Sequence, residues 1–180
     1  APHEHVIVAC DMRTGVVLLL DLNANEPHLE VIAQVPHPDH ATPVDLDQDG
    51  YMDLVVADLG SYLPEDHTNA QVVWLRREPG NATYTPFVLL DGVGRVADVQ
   101  AADFDADGDL DLIVAVFGWR KVGEVIYLEN VTDDWTSPQF ERHTLAQMTG
   151  AIHVPITDLN GDGRPDFVAL FHETANSIEQ

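Results

Sequence analysis

Asp103-Phe-Asp-Ala-Asp-Gly-Asp-Leu-Asp111 carries aspartate at its first, third, fifth and ninth positions and glycine at its sixth. Asp45-Leu-Asp-Gln-Asp-Gly-Tyr-Met-Asp53 has the same spelling, and Asp158-Leu-Asn-Gly-Asp-Gly-Arg-Pro-Asp166 has it with one asparagine. The starts at 45, 103 and 158 recur at a near-even period. Carboxylates this dense repel one another unless a cation sits among them. A hard divalent cation such as Ca²⁺ takes six to eight oxygens in flexible geometry. Alternate side chains of a tightly curled loop can meet at one centre, and glycine permits the curl because it tolerates positive φ.

The expected ligands are therefore Asp45, Asp47, Asp49 and Asp53; Asp103, Asp105, Asp107 and Asp111; and Asp158, Asn160, Asp162 and Asp166, for three Ca²⁺ sites. The backbone carbonyl at the seventh position (Tyr51, Asp109, Arg164) can add an oxygen to each. An EF-hand would need a bidentate glutamate at position twelve and a helix on each side. Position twelve is Val56, Val114 or Ala169. The runs Leu54–Ala57, Leu112–Ala115 and Phe167–Leu170 are short, apolar and rich in β-branched residues, and read as buried strands. The loops thus join strands.

Outward from these anchors the chain divides into four segments, at about 1–37, 38–95, 96–150 and 151–180. The first offers strands at His5–Asp11, Val16–Leu22 and Leu29–Val35. The second offers His40–Val44, Asp53–Asp58, Gln71–Arg76 and Tyr84–Asp91, and the third Val96–Ala102, Asp111–Val116, Glu124–Glu129 and Phe140–Ala146. The fourth offers Ile152–Thr157 and Asp166–Phe171, which brings the expectation to thirteen strands. Gly15–Leu20, Ala70–Leu75 and Gly123–Leu128 superpose without gaps, with Leu19, Trp74 or Tyr127 in the fifth place. Four short strands per unit of about fifty residues indicate an all-β fold of β-propeller blades, each a four-stranded antiparallel sheet. About three blade-equivalents are present, a partial propeller.

The segments resemble FG-GAP or VCBS repeats, the blades of integrin-α-type propellers. Phe117-Gly118 keeps the Phe-Gly dipeptide of that pattern, Leu59-Gly60 is a looser match, and His172-Glu173 departs from it. The resemblance implies strands ordered from a central channel outward and calcium in the loop between the first two strands of a blade. It implies no single activity. Segment one lacks its innermost strand and loop, and segment four its two outer strands. The expectation is either the rest of a longer propeller or self-association, since open sheet edges invite pairing.

Acidic residues number 31 against 8 basic ones, the net charge is −23, and Lys121 is the only lysine. A nucleic-acid partner is excluded, because phosphate binding needs a basic face. The single cysteine, Cys10, cannot form an intrachain disulfide and reads as a core residue. There is no membrane span. The composition fits a secreted protein, extracellular or periplasmic. Asn81-Ala-Thr83 and Asn130-Val-Thr132 are glycosylation sequons.

A second constellation comes from register. His40, Asp98 and His153 each lie five residues before a loop, at equivalent places on the innermost strands, and belong at the face opposite the loops. The following strand returns to that face with Asp58, Trp119, Arg120, His172 and Glu173. His40, Asp58, Asp98, His153 and His172 form a candidate ligand site for a transition metal, a sugar or a peptide; alternatively they are hydrogen-bonded polar filling. The leading reading is a non-catalytic, calcium-binding propeller segment that recognises or scaffolds a protein or glycan ligand. The alternative is a propeller-type hydrolase or polysaccharide lyase with its metal or substrate site at the channel mouth.

Overall fold

A computed structural model describes residues 6–22, 26, 28–78, 83–120 and 123–172. They form antiparallel sheets and no helix. The first sheet holds β1 (Val6–Asp11), β2 (Val16–Asp21) and β3 (Leu29–Gln34), paired in that order. The second holds β4 (Pro38–Val44), β5 (Asp53–Asp58), β6 (Ala70–Arg77) and β7 (Tyr84–Val93), and the third β8 (Val96–Ala102), β9 (Asp111–Val116), β10 (Glu124–Asn130) and β11 (Phe140–Gln147). In both, spatial order equals chain order, as in a propeller blade. The architecture is all-β, with no closed barrel, and matches a partial propeller.

The fourth segment differs from expectation. Its two strands are each broken, into β12 (Ala151–His153) and β13 (Ile156–Thr157), and into β14 (Asp166–Phe167) and β15 (Leu170–Phe171). The described strands therefore number fifteen, where thirteen were expected. The break has a local cause. Val154 donates its N–H to Asp98 instead of to the ladder, and Pro155 has no N–H to give. The proline carbonyl accepts from Val168 N at 3.0 Å, so the gap is bridged once.

The sheets stack face to face, and the second strand of each full blade shows why it reads as continuous apolar sequence. Val55 and Ala57 pack into the core between the second and third sheets, while Leu54 and Val56 pack into the core against the first. Leu112, Val114 and Val116 share the former core, and Ile113 and Ala115 face the fourth segment. All six residues of β5 and of β9 are buried. The second position of each loop extends this stacking. Leu46 is fully buried between the second and third sheets, Phe104 packs against Phe167 of the fourth segment, and Leu159, with no sheet beyond it among the described residues, is 62% exposed.

Each blade closes at the far end by the same bond. Leu59 N donates to His37 O, Phe117 N to Arg95 O and His172 N to Gly150 O. Gly60 sits in this corner at φ 71°, and a Cβ there would lie 2.5 Å from Ala70 N. The glycine of the Leu-Gly dipeptide is thus a close-approach requirement. Cys10 packs at the edge of the core between the first two sheets, and burial pushes its thiol up to about 11. Asn130 is 3% exposed, with its amide donating to Leu110 O, so its sequon is closed to a glycan in the folded chain; the Asn81 sequon lies outside the described residues.

Candidate cation loops and the face opposite them

One hydrogen-bond scheme builds all three loops. The aspartate at position one accepts from the backbone N–H of position six: Gly50 to Asp45 at 3.0 Å, Gly108 to Asp103 at 3.1 Å, Gly163 to Asp158 at 2.9 Å. The oxygen at position three accepts from position five (Asp47, Asp105, Asn160), and the aspartate at position five from position seven (Asp49, Asp107, Asp162). The aspartate at position nine accepts from position two: Leu46 N to Asp53, Phe104 N to Asp111, Leu159 N to Asp166. The sixth-position glycines have φ of 91°, 102° and 85°, as the curl requires. Position four is also left-handed, at Gln48 (54°), Ala106 (67°) and Gly161 (76°). That demand was invisible in the spelling, because two of the three residues are not glycine.

In two of the loops carboxylate oxygens gather. Asp45, Asp47 and Asp53 each offer an oxygen, all within 4.8 Å of one another, and so do Asp103, Asp105 and Asp111. The donor set is all carboxylate oxygen, the chemistry of a hard divalent cation. In the third loop Asn160 Nδ2 instead donates to Asp162 at 3.1 Å, and no such group of three acidic residues forms there. Residues 158 to 164 are all exposed.

The first two loops are linked, since Gln48 Nε2 donates to Gly108 O at 2.8 Å. Their surroundings diverge. Arg76 of β6 reaches loop one, with Nη2 2.7 Å from Asp47 and 3.8 Å from Asp49, and its guanidinium lies 5.7 Å from the Trp74 ring centroid. The position equivalent to Arg76 on β10 is Glu129. Loop two holds a fifth acid, Asp109, whose Oδ1 is buried without a hydrogen-bond partner. Burial, reinforced by Asp107, Asp111 and Asp105, pushes Asp109 up to about 6. Burial also pushes Asp53 up to about 6, against the hydrogen bonds from Arg77 N and Trp74 Nε1. A cation among these oxygens would favour their charged forms and so oppose both shifts.

On the opposite face the inner strands β4, β8 and β12 bring His40, Asp98 and His153 together. Asp98 is 1% exposed. Its Oδ2 contacts His153 Nδ1 and accepts from Val154 N at 2.9 Å; its Oδ1 accepts from Gln100 Nε2 at 2.9 Å and lies 3.7 Å from His40 Nε2. Each of these strands shifts register immediately before the residue in question, between Pro38 and His40, Val96 and Asp98, and Ala151 and His153. Bulges re-aim side chains in this way. The two imidazole centroids are 6.5 Å apart, and the trio is not among the groups whose ligand atoms lie within 4.8 Å. The arrangement is a buried carboxylate held by its neighbours.

Asp58 is fully buried and its oxygens accept from His37 N, Gly60 N and Gln71 Nε2, so it shapes the blade corner and offers nothing to a ligand. His172 is exposed, Trp119 is half-buried beside Phe117, and Arg120 N donates to Asp66. Glu173 lies outside the described residues. A third ligand-like group was not foreseen: Glu129, Glu141 and His143, on β10 and β11, also lie within 4.8 Å of one another. Its signal is cross-strand, and appears only once the β10–β11 register is known.

Comparison with known families agrees with the geometry. Residues 45–114 match the model described as FG-GAP-like repeat. That stretch, from the start of loop one through loop two into β9, is similar to FG-GAP-like repeats, which suggests a propeller-type repeat module. No curated protein matches the chain. No helix among the described residues is long and apolar enough to cross a membrane.

Proposed function

We propose that this chain is a calcium-stabilised propeller segment of an extracellular or periplasmic protein, a non-catalytic module that recognises or scaffolds a protein or glycan. The observation that carries the reading is the shared loop scheme. Backbone donors fix the aspartates of each loop, and in loops one and two one oxygen from each of three carboxylates gathers within 4.8 Å of the others. Asp45, Asp47 and Asp53 would hold one ion and Asp103, Asp105 and Asp111 a second, with Asp49, Asp107 and the carbonyls of Tyr51 and Asp109 completing the shells. Asp158, Asn160, Asp162, Asp166 and the Arg164 carbonyl make a weaker third site. The ion's role is to order the turn between inner strands, whose backbone otherwise costs about 1–2 kcal/mol per residue to fix.

A ligand present at a hundred times its Kd stabilises by about 2.7 kcal/mol per site. Millimolar calcium should therefore raise the melting temperature by several degrees over the chelated protein, and native mass spectrometry should count at least two bound ions. An unchanged melt would remove the structural role. The open faces of the first sheet and of the fourth segment, with Leu29 58% and Leu159 62% exposed, support continuation by further blades or by copies of the chain.

The alternative reading, a hydrolase or polysaccharide lyase, is supported by buried Asp98 holding the half-exposed His153 imidazole. Turnover of a polysaccharide that disappears in His153→Ala would favour it over recognition.

A further inference from the structure

The outer strands of the third sheet carry a pairing that sheets avoid. Glu129 and Glu141 stand directly opposite one another in the β10–β11 ladder. Like charges so placed are destabilising. The nearest arginine does not relieve them, because Arg142 pairs with Glu124 at 2.8 Å. What stands beside them is His143, whose Nε2 is 2.9 Å from Glu129. The Tyr127 ring stacks on that imidazole, centroids 5.6 Å apart at 26°, and fixes its plane.

The equivalent place on the second sheet is filled differently. There Trp74 is fully buried, packed on Phe87 at 5.1 Å and covered by Trp135 of the next blade at 5.2 Å. On the third sheet Tyr127 and His143 occupy the places of Trp74 and Phe87, and no described residue covers them as Trp135 covers Trp74. The Trp74–Phe87 pair of one blade is replaced by Tyr127–His143 in the other, and the neighbouring Arg76–Thr85 pair by two glutamates.

We propose that Glu129, Glu141 and His143 form a site for a borderline transition-metal dication of the zinc class, separate from the calcium loops. Zn²⁺ takes mixed imidazole nitrogen and carboxylate oxygen at about 2.0–2.2 Å and commonly keeps a position open for water or a further ligand. The three ligand atoms already lie within 4.8 Å of one another, so contraction onto one ion needs only side-chain rotation. The imidazole separates this site from the oxygen-only loops in metal preference. The ion would convert the opposed glutamates from a repulsive pair into two ligands.

The test is calorimetric titration of the whole chain with zinc sulfate in millimolar calcium, which keeps hard-cation sites filled. The wild type should bind one equivalent that His143→Ala and Glu141→Gln each weaken at least tenfold, the scale expected when groups that hold a metal are altered. Both residues are on the outermost strand and partly or fully exposed, so far-UV circular dichroism and the shift that calcium produces in the melt should be unchanged in both variants. His40→Ala should leave the equivalent intact. The proposal is overturned if the wild type binds no zinc. It is equally overturned if the two variants bind as the wild type does, or if His40→Ala removes the equivalent and thereby moves the metal to the opposite face.

Discussion

Loops one and two have one spelling and one backbone scheme, yet stand in opposite electrostatic settings. Loop one has an internal cation, Arg76, against Asp47 and Asp49. Loop two has none among the described residues; it has an extra acid, Asp109, and Glu129 where loop one has the arginine. The same contrast runs through the packing. Trp74, above loop one, is sealed by Trp135 and donates to Asp53 at 2.9 Å, whereas Tyr127, above loop two, is half-buried and donates to Asp111 at 3.0 Å. Loop one is partly neutralised and sealed by the protein itself; on the calcium reading proposed above, loop two would depend more heavily on an added ion. A repeat motif thus specifies a loop shape, and neighbouring strands and blades set the charge and burial around it.

The largest test of the contrast is in the packing. Trp74→Ala should cost about 3–5 kcal/mol, the range for removing a buried aromatic side chain. Tyr127→Ala should cost distinctly less, and denaturant titration of both variants in calcium would compare them. Equal losses would break the distinction between sealed and open blades.

Next comes the charge. Arg76→Ala should tighten calcium at loop one about tenfold, equivalent to about 1.4 kcal/mol, and Glu129→Arg should weaken loop two by a similar factor. Calcium titration calorimetry reads both. No change in either variant would mean that the neighbours do not tune the loops.

A smaller effect comes from the left-handed backbone at position four. Ala106→Gly should stabilise by up to about 1 kcal/mol, because a Cβ is strained at that φ, and Gly161→Ala should lose a comparable amount. Thermal melts in calcium would show the two shifts as opposite in sign.

The least is pH. In chelator, Asp53 and Asp109 have folded pKa values raised to about 6, above their unfolded values. The folded state then binds more protons than the unfolded one between about pH 6 and pH 4. Stability should rise as pH falls from 7 toward 5, and with saturating calcium the slope should reverse, since protons then compete with the ion. Parallel slopes in the two conditions would show that the ion does not engage these carboxylates.

Much of this was legible in the sequence. Asp53–Asp58, Val96–Ala102 and Asp111–Val116 have in the structure the bounds read from the sequence, because a loop of fixed length ends β8 and precedes β5 and β9, which are buried on both faces. The equivalence of His40, Asp98 and His153 was legible too, since residues at one offset from a repeat must meet when the repeats stack. Other features were not. The broken fourth segment turns on Val154 giving its N–H to Asp98, a residue of another sheet. Asp58 looked available on spacing, but burial and three backbone and side-chain donors had already used it.

The aspartate spacing, the glycine within it and the apolar run after it were sufficient by themselves to determine a curled, oxygen-lined turn between two strands, repeated around an all-β stack. Each depends only on residues within a dozen positions of one another. Which loop has its own arginine, which aromatic is sealed and which glutamates face each other were decided by tertiary structure. Those contacts cross between strands or sheets tens of residues apart, and burial and Coulomb energy depend on distance in space.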